Sequence, residues 1–166
     1  MNYQISILGL GQIGASFGLA LETFKNKITR VGYDSSRTTA REAKQLGAVD
    51  VIPKSLKKTV RRADLVILAL PFHEIHPTLQ EIAGEVPRGG LVIDTSPLKQ
   101  PVIRWMEEIL PEGIFYVGLT PTLQTAYLQE SVCGIQGARA DLFSGCQMAV
   151  TLGSNPSSEA MEAATQ

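Results

Sequence analysis

Apolar residues along this chain come in short continuous runs, and the stretches between them carry apolar positions at helical spacing. Tyr3 to Leu8 reads as a buried parallel strand. Ile13, Phe17, Leu21 and Phe24 then recur with helical period over Gln12 to Lys25, with small Ala15 and Gly18 where a close approach is needed. Thr29 to Tyr33 reads as the second strand. Ser35 or Ser36 caps a helix that runs to Leu46 and stops at Gly47. Asp50 to Ile52 reads as a short third strand ended by Pro53, Ser55 to Arg62 as a short helix, and Leu65 to Leu70 as the most apolar strand. A helix from about His73 to Gly84, a strand from Leu91 to Asp94, a helix from about Pro101 to Leu110 and a strand from Phe115 to Val117 continue the series.

Such alternation predicts an α/β fold with right-handed crossovers and a doubly wound parallel sheet. The pattern loosens after Gly118. Residues 119–137 show no clear period, Gly137 to Phe143 could form a helical turn or two, and Gln147 to Leu152 reads as a last strand. Residues 1–153 are expected to form a single domain. Residues 154–166, a turn followed by a helical pattern from Ser157, are expected to begin a linker or helix toward a further C-terminal helical domain.

The chemistry begins in the first turn. Gly9-Leu10-Gly11-Gln12-Ile13-Gly14 writes GxGxxG directly behind the first strand, and Asp34 closes the second strand about twenty residues on. In that context each glycine has its own task. Gly9 makes a tight turn, Gly11 admits a pyrophosphate close to the backbone, and Gly14 lets the helix pack on the strand. The pyrophosphate would rest on the free N–H groups of the helix start at Gln12 and Ile13. These signals specify a Rossmann-type dinucleotide-binding domain. Asp34 is placed to accept hydrogen bonds from ribose hydroxyls and to repel a 2′-phosphate, which favours NAD. Ser35, Ser36 and Arg37 leave NADP open, since two hydroxyls and a guanidinium could cradle that phosphate. Leu70-Pro71 ends the most apolar strand at the sheet's carboxyl edge, where the loop should pass beside the cofactor. Asp94-Thr95-Ser96-Pro97-Leu98-Lys99 follows the next strand at the same edge, as a capped turn or as a substrate-facing loop.

Bulk properties narrow the class further. The 166 residues are 44% hydrophobic and 19% charged, ordinary for a soluble globular protein of one domain. A net charge of -1 gives no reason to expect nucleic acid or an anionic membrane as partner. Cys133 and Cys146 are too few for a disulfide framework, and with no secretory leader before Tyr3 the expected location is the cytoplasm. His73 and His76 lack the further Cys or His that would complete a metal site, so they read as solvent-facing helix residues and no metal is expected. Lys54, Lys57, Lys58, Arg61 and Arg62 share one helical face, a solvated surface or an anion or protein patch.

Over nearly its whole length the chain resembles the prephenate and arogenate dehydrogenase family. The resemblance is carried by the glycine loop, by Val31-Gly32-Tyr33-Asp34, by Ala63 to Pro71, by Val92-Ile93-Asp94 with Lys99, and by Ala138-Arg139-Ala140-Asp141-Leu142-Phe143. It implies an NAD- or NADP-binding domain followed by a helical domain that forms a homodimer and closes the site over a small-molecule substrate. The implied reaction is oxidation of prephenate or arogenate at the ring hydroxyl with loss of carbon dioxide, a step of tyrosine biosynthesis. Ser96 and Thr120 would face the substrate, with Lys99 supporting their loop. Two departures stand out. The family writes Gly-Gly-His-Pro-Met after its sixth strand, its histidine contacting the hydroxyl that is oxidised, whereas this chain reads Gly118-Leu119-Thr120-Pro121-Thr122. The family also tends to place a serine where Pro97 stands, and here the serine is one residue earlier, at Ser96. A threonine does not ionise near neutral pH, and loss of a positioned base costs roughly 10²–10⁴ in rate. The alternative reading is therefore a catalytically silent NAD-binding module that senses redox state or docks to a partner.

Overall fold

The computed structural model describes residues 2–127 and 132–153. The apolar runs become strands β1 (Tyr3–Leu8), β2 (Ile28–Tyr33), β3 (Leu65–Leu68), β4 (Leu91–Asp94), β5 (Phe115–Pro121) and β6 (Met148–Thr151). Between them lie helices α1 (Gln12–Ala20), α2 (Arg37–Gln45), α3 (Leu56–Val60), α4 (Phe72–Ile82) and α5 (Lys99–Ile109). All six strands join one sheet in the order β2-β1-β3-β4-β5-β6. The chain steps from β1 to one side and then crosses back to the other, so connections leave the carboxyl ends of β1 and β3 in opposite directions. The crevice for a ligand opens there.

Side-chain alternation along the strands builds two cores. Leu8, Val66, Leu68 and Val92 pack with Leu56 and Val60 of α3, Ile75 and Leu79 of α4, and Val102 and Met106 of α5. Ile5, Ile7 and Ile67 face the other way, against Ala15 of α1 and Ala40 and Ala43 of α2. Helices thus cover both faces of a Rossmann-type sheet, as the periodicity requires.

Four expectations change. Asp50 to Ile52 is not a strand: only Val51 bridges to Val31. The Asp50 carboxylate takes the Arg30 backbone N–H at 2.8 Å, a position a strand carbonyl would otherwise fill, and Pro53 has no N–H to continue a ladder. The last strand, β6, runs antiparallel to β5. Among the described residues its connection makes 3-10 turns at Thr125–Tyr127 and Gly134–Gly137 and no crossover helix, and Thr122 donates its N–H and hydroxyl to Gln147 O, so the chain returns from the edge it left. The first helix ends at Ala20 and tightens into a 3-10 turn over Leu21–Phe24. Gly137 to Phe143 forms a 3-10 end and hydrogen-bonded turns and no α-helix. The pattern expected over residues 154–166 lies outside the described residues.

One buried charge ties the first half together. The Arg30 side chain is 3% exposed and projects beneath the ends of two helices. Its guanidinium donates to Gly18 O at 2.8 Å and Gly47 O at 2.9 Å, carbonyls that helix ends leave without partners. It also pairs with Asp50 at 2.7 Å and with Glu22. Burial alone would push the Asp50 carboxyl up, but the hydrogen bonds and charge of Arg30 outweigh it and hold the group below its usual range.

Arg30→Ala should therefore cost about 3–5 kcal/mol in urea unfolding at neutral pH, since it strands two buried carbonyls and a paired carboxylate. Asp50 titrates near about 3.9 when unfolded and lower when folded. The stability it contributes is complete above that value and is lost as pH falls through the folded one. Acid-side loss of stability should be smaller in Asp50→Asn than in the parent. An Arg30→Ala midpoint equal to the parent's would show that the network holds nothing together.

Candidate functional site

The crevice at the carboxyl ends of β1 and β3 is shaped by backbone first. Gly9 adopts φ of 87°, and a side chain there would run into the Ala69 carbonyl at the end of β3. A side chain on Gly14 would collide with the Gly9 carbonyl, so α1 sits directly on the loop that precedes it. Gly11 is different: it has an ordinary negative φ of -70°, and nothing lies within 4 Å of a Cβ built on it. The space over Gly11 is open. Gly11 is also the N-cap of α1 and offers no side chain to cap it, and the first turn of α1 carries no acid. The first N–H groups of the helix are left without intrahelical partners beside the open space, a setting suited to an anion.

Asp34, at the end of β2, closes one end of the crevice. Its Oδ2 accepts the Leu10 N–H at 2.8 Å and its Oδ1 accepts the Ser36 N–H at 2.8 Å. The carboxylate fixes the glycine loop against β2, and each oxygen keeps a lone pair for another donor. The Ser36 hydroxyl accepts from Thr39 N, which makes Ser36 the cap of α2 and leaves exposed Ser35 on the crevice wall. The resulting cavity measures about 490 Å³, within the range of small-molecule and cofactor sites.

Gly9, Gly11, Gln12, Ile13, Asp34, Ser35, Leu70 and Pro71 all line this cavity. Gly14 lies behind it, fully used in packing α1. Arg37 turns away: its guanidinium donates to Pro53 O at 3.3 Å and to Lys54 O at 2.7 Å. Thr39, Ala69, Glu74, Gly134 and Ile135 complete the lining, and the sequence pattern did not flag them. Ala69 and Glu74 flank the predicted Leu70-Pro71 turn and were within reach of that reading. Gly134 and Ile135 come from the stretch without period. Their one signal is an apolar residue between glycines, and Ile135 is 7% exposed because it packs into the α1 and α2 core.

The second half of the edge is built around Asp94 at the end of β4. Its buried carboxylate accepts the Ser96 N–H and the Ser96 hydroxyl, each at 2.9 Å. Lys99 Nζ donates to Asp94 Oδ2 at 2.9 Å, to Asp94 O at 2.7 Å and to Leu119 O at 3.0 Å. Burial lowers the Lys99 pKa, and the Asp94 carboxylate offsets part of that. The stem of Lys99 crosses Gly118, where a Cβ would come within 2.8 Å of its Cδ. Ser96 is 5% exposed, and Thr120 is half-buried within β5, opposite Ala149. The structure thus joins Ser96 and Lys99 in one cluster and sets Thr120 on the strand that this cluster grips.

Two other motifs resolve. Arg139 N donates to Ser16 Oγ at 2.9 Å and Phe143 stacks on Phe17 at 4.6 Å, so the 138–143 stretch is packed back onto α1. His76 is not solvent-facing as expected: it meets the Trp105 ring edge-on at 5.1 Å, while His73 is exposed. Among the described residues no group of three or more His, Cys, Asp or Glu is placed to hold a metal ion, and no helix is long and apolar enough to cross a membrane.

Comparison with known proteins identifies the family and the fold. The family model described as prephenate dehydrogenase, nucleotide-binding domain, matches residues 17–166, beginning just after the glycine loop. The chain is 30% identical over 110 residues to a cyclohexadienyl dehydrogenase of Zymomonas mobilis, covering 66% of this chain and 38% of that protein. It is 28% identical over 163 residues to the prephenate dehydrogenase of Bacillus subtilis, covering 98% of this chain and 43% of that protein. The chain therefore spans about two fifths of the length of these curated relatives. In fold it is similar to a crystal structure of prephenate dehydrogenase from A. aeolicus in complex with hydroxyphenyl propionate and NAD+. That match has a TM-score of 0.84 at 20% identity and covers 99% of this chain and 56% of the other.

The glycine geometry separates folding from binding. Gly9→Ala and Gly14→Ala should each lower stability by about 1–3 kcal/mol or more in thermal melts, through overlap with backbone that cannot move aside. Gly11→Ala should stay within about 0.5 kcal/mol of the parent, because its methyl enters empty space. Equal melting points for all three variants would mean that the loop does not pack on β3 as described.

Proposed function

We propose that this chain, which belongs to the prephenate dehydrogenase family as its nucleotide-binding domain, binds a nicotinamide dinucleotide in the crevice between β1 and β3, NAD in preference to NADP. In this reading it is the cofactor half of an oxidoreductase that oxidises prephenate or arogenate in the cytoplasm. The observation that carries the proposal is the open space over Gly11, bordered by an uncapped helix start and ended by the Asp34 carboxylate.

The residues present fit the cofactor. The pyrophosphate would lie over Gly11 against the N–H groups of Gln12 and Ile13, where the peptide dipoles of α1 favour negative charge. Asp34 would use its remaining lone pairs for the hydroxyls of the adenine ribose, with Ser35 beside it. A 2′-phosphate there would meet a carboxylate whose oxygens are already held in place by Leu10 and Ser36, so it could not swing aside without freeing the loop. Leu70 and Pro71 would form the apolar wall toward the nicotinamide. When bound, the cofactor supplies a hydride acceptor.

Ser96, Lys99 and Thr120 occupy the substrate side in this proposal. Lys99 and Ser96 act through position: they fix the turn after β4 to β5 by gripping Asp94 and Leu119. Thr120 would face the hydroxyl being oxidised and can donate or accept one hydrogen bond but not hold its proton. A helical domain, such as the resemblance implies, would supply the remaining substrate contacts, exclude water and form the homodimer. Neither nucleic acid nor membrane takes part. Thr120 is also the one feature that favours the silent-module alternative, and activity separates the two readings.

Calorimetric titration should show NAD binding at least tenfold more tightly than NADP, and Gly11→Ala should weaken both without loss of fold. NADP binding as tight as NAD would transfer the specificity to Ser35, Ser36 and Arg37. For chemistry, residues 1–166 saturated with NAD should form no NADH from prephenate. In the whole gene product, Thr120→His should raise prephenate-dependent turnover by roughly 10²-fold or more. Rapid turnover by the unmodified product, unchanged by Thr120→His, would show that another group takes the proton.

A further inference from the structure

A second concavity, of about 440 Å³, opens between α2 and the segment before α3, away from the dinucleotide crevice. It is lined by Arg37, Arg41, Lys44, Ile52 and Lys54, with no acidic residue among them. Arg37, Arg41 and Lys44 stand at successive turns along one stripe of α2, a spacing at which like charges weaken a helix. Lys54 is brought against that stripe by Arg37 itself, whose guanidinium holds the Pro53 and Lys54 carbonyls. Convergence of four cations on a hollow is the reverse of a solvated face, where like charges spread apart.

None of the neighbouring acids forms an ion pair with these cations. Asp34 is engaged by the Leu10 and Ser36 N–H groups, Asp50 is paired with Arg30, and Glu42 accepts from Gln136 at 3.4 Å. Among the described residues, Arg41, Lys44 and Lys54 make no ion pair, in a chain whose 16 acids outnumber its 15 Lys and Arg.

We infer that this concavity is an anion-binding site, separate from the dinucleotide crevice, for a small phosphorylated molecule carrying at least two negative charges. Arg37, held by the Pro53 and Lys54 carbonyls, keeps three of its five N–H donors for one phosphate, and Arg41, Lys44 and Lys54 bring further donors to the hollow. Half-buried Ile52 offers the apolar contact for the unphosphorylated part of the ligand. The volume suits a molecule of metabolite size. The site stands whether or not the crevice binds NAD.

Inorganic tripolyphosphate is the probe. Titrated into the chain with NAD in excess, at about 0.15 M salt, it should bind with one-to-one stoichiometry and weaken as salt rises. Backbone amide shifts should cluster at residues 37–44 and 52–54 and spare 9–14, which assigns the site independently of whether NAD occupies its own. The double variant Arg41→Gln, Lys44→Gln should lose at least roughly tenfold in tripolyphosphate affinity. Its melting temperature and NAD affinity should not fall. Three results would each overturn the proposal: no saturable binding, binding unaffected by the double variant, or displacement of tripolyphosphate by NADP but not by NAD. The last would make the hollow part of the dinucleotide site.

Discussion

Three stretches of backbone meet at the centre of the sheet, and they can do so because Gly9 and Gly14 carry no side chain at the contact. Gly9 faces the Ala69 carbonyl, and Gly14 faces the Gly9 carbonyl. The first loop is therefore drawn down between β3 and α1, and Gly9 N is held by Tyr33 O at 2.9 Å. Gly11 is lifted to the rim as the one glycine of the three that packs against nothing. Asp34 adds the lateral constraint by holding Leu10 N, which joins the end of β2 to the same loop. A helix start with unpaired N–H groups is common on protein surfaces. Here it is fixed to a carboxylate on one side and borders an apolar turn at Leu70 and Pro71 on the other, so the separation of the three is set by the fold.

The other half of the edge is governed by a buried ion pair. Burying Lys99 and Asp94 costs solvation on both, and the return depends on how fully their hydrogen-bonding capacity is met. It is met well: the ammonium reaches Asp94 O, Asp94 Oδ2 and Leu119 O, and the carboxylate also takes both donors of Ser96. Such pairs add little net stability but specify one arrangement against others. Gly118 is part of that arrangement, because any side chain there would block the Lys99 stem. The effect is to tie the turn after β4, the start of α5 and the Thr120 end of β5 at a fixed offset.

The parts of this design that could be read from the chain are those written in local order. Strand runs, helical periods, the GxGxxG loop and its distant acid all follow from residues close in sequence, and a serine cap for α2, at Ser35 or Ser36, follows from residue type. What escaped depends on contacts between distant side chains and backbone. Asp50 looks like the start of a strand until Arg30 is seen to occupy it. Lys99 and Ser96 were assigned to the substrate edge by position, and their common attachment to Asp94 has no period to betray it. Ile135 sits in a stretch whose conformation is decided by packing on α1 and α2, so no local propensity announces that it borders the crevice. The turn over 138–143 was legible as a family stretch but not as a structure, because its order comes from Ser16 and Phe17 on another element.

The two concavities treat negative charge in opposite ways, and this bears on how the molecule tells its ligands apart. The dinucleotide crevice is lined by Asp34 and Glu74 and by no Lys or Arg. An anion placed there would meet only backbone N–H groups and the dipole of α1, an interaction of about 0.3–2 kcal/mol that acts only within the first turn. Selectivity in that crevice then falls to shape and to the carboxylate at its end, since there is no mobile cation to reward an additional phosphate. The hollow beside α2 has the reverse character: its lining is exposed cations and half-buried Ile52, with no acid among them. Affinity there grows with the charge of the ligand and falls with salt. Because Arg37 is turned toward Pro53 and Lys54, it lends its charge to the hollow instead of the ribose end of the crevice. That one guanidinium puts its charge with the hollow and not the crevice, although Arg37 lies only two positions beyond Ser35 on the crevice wall.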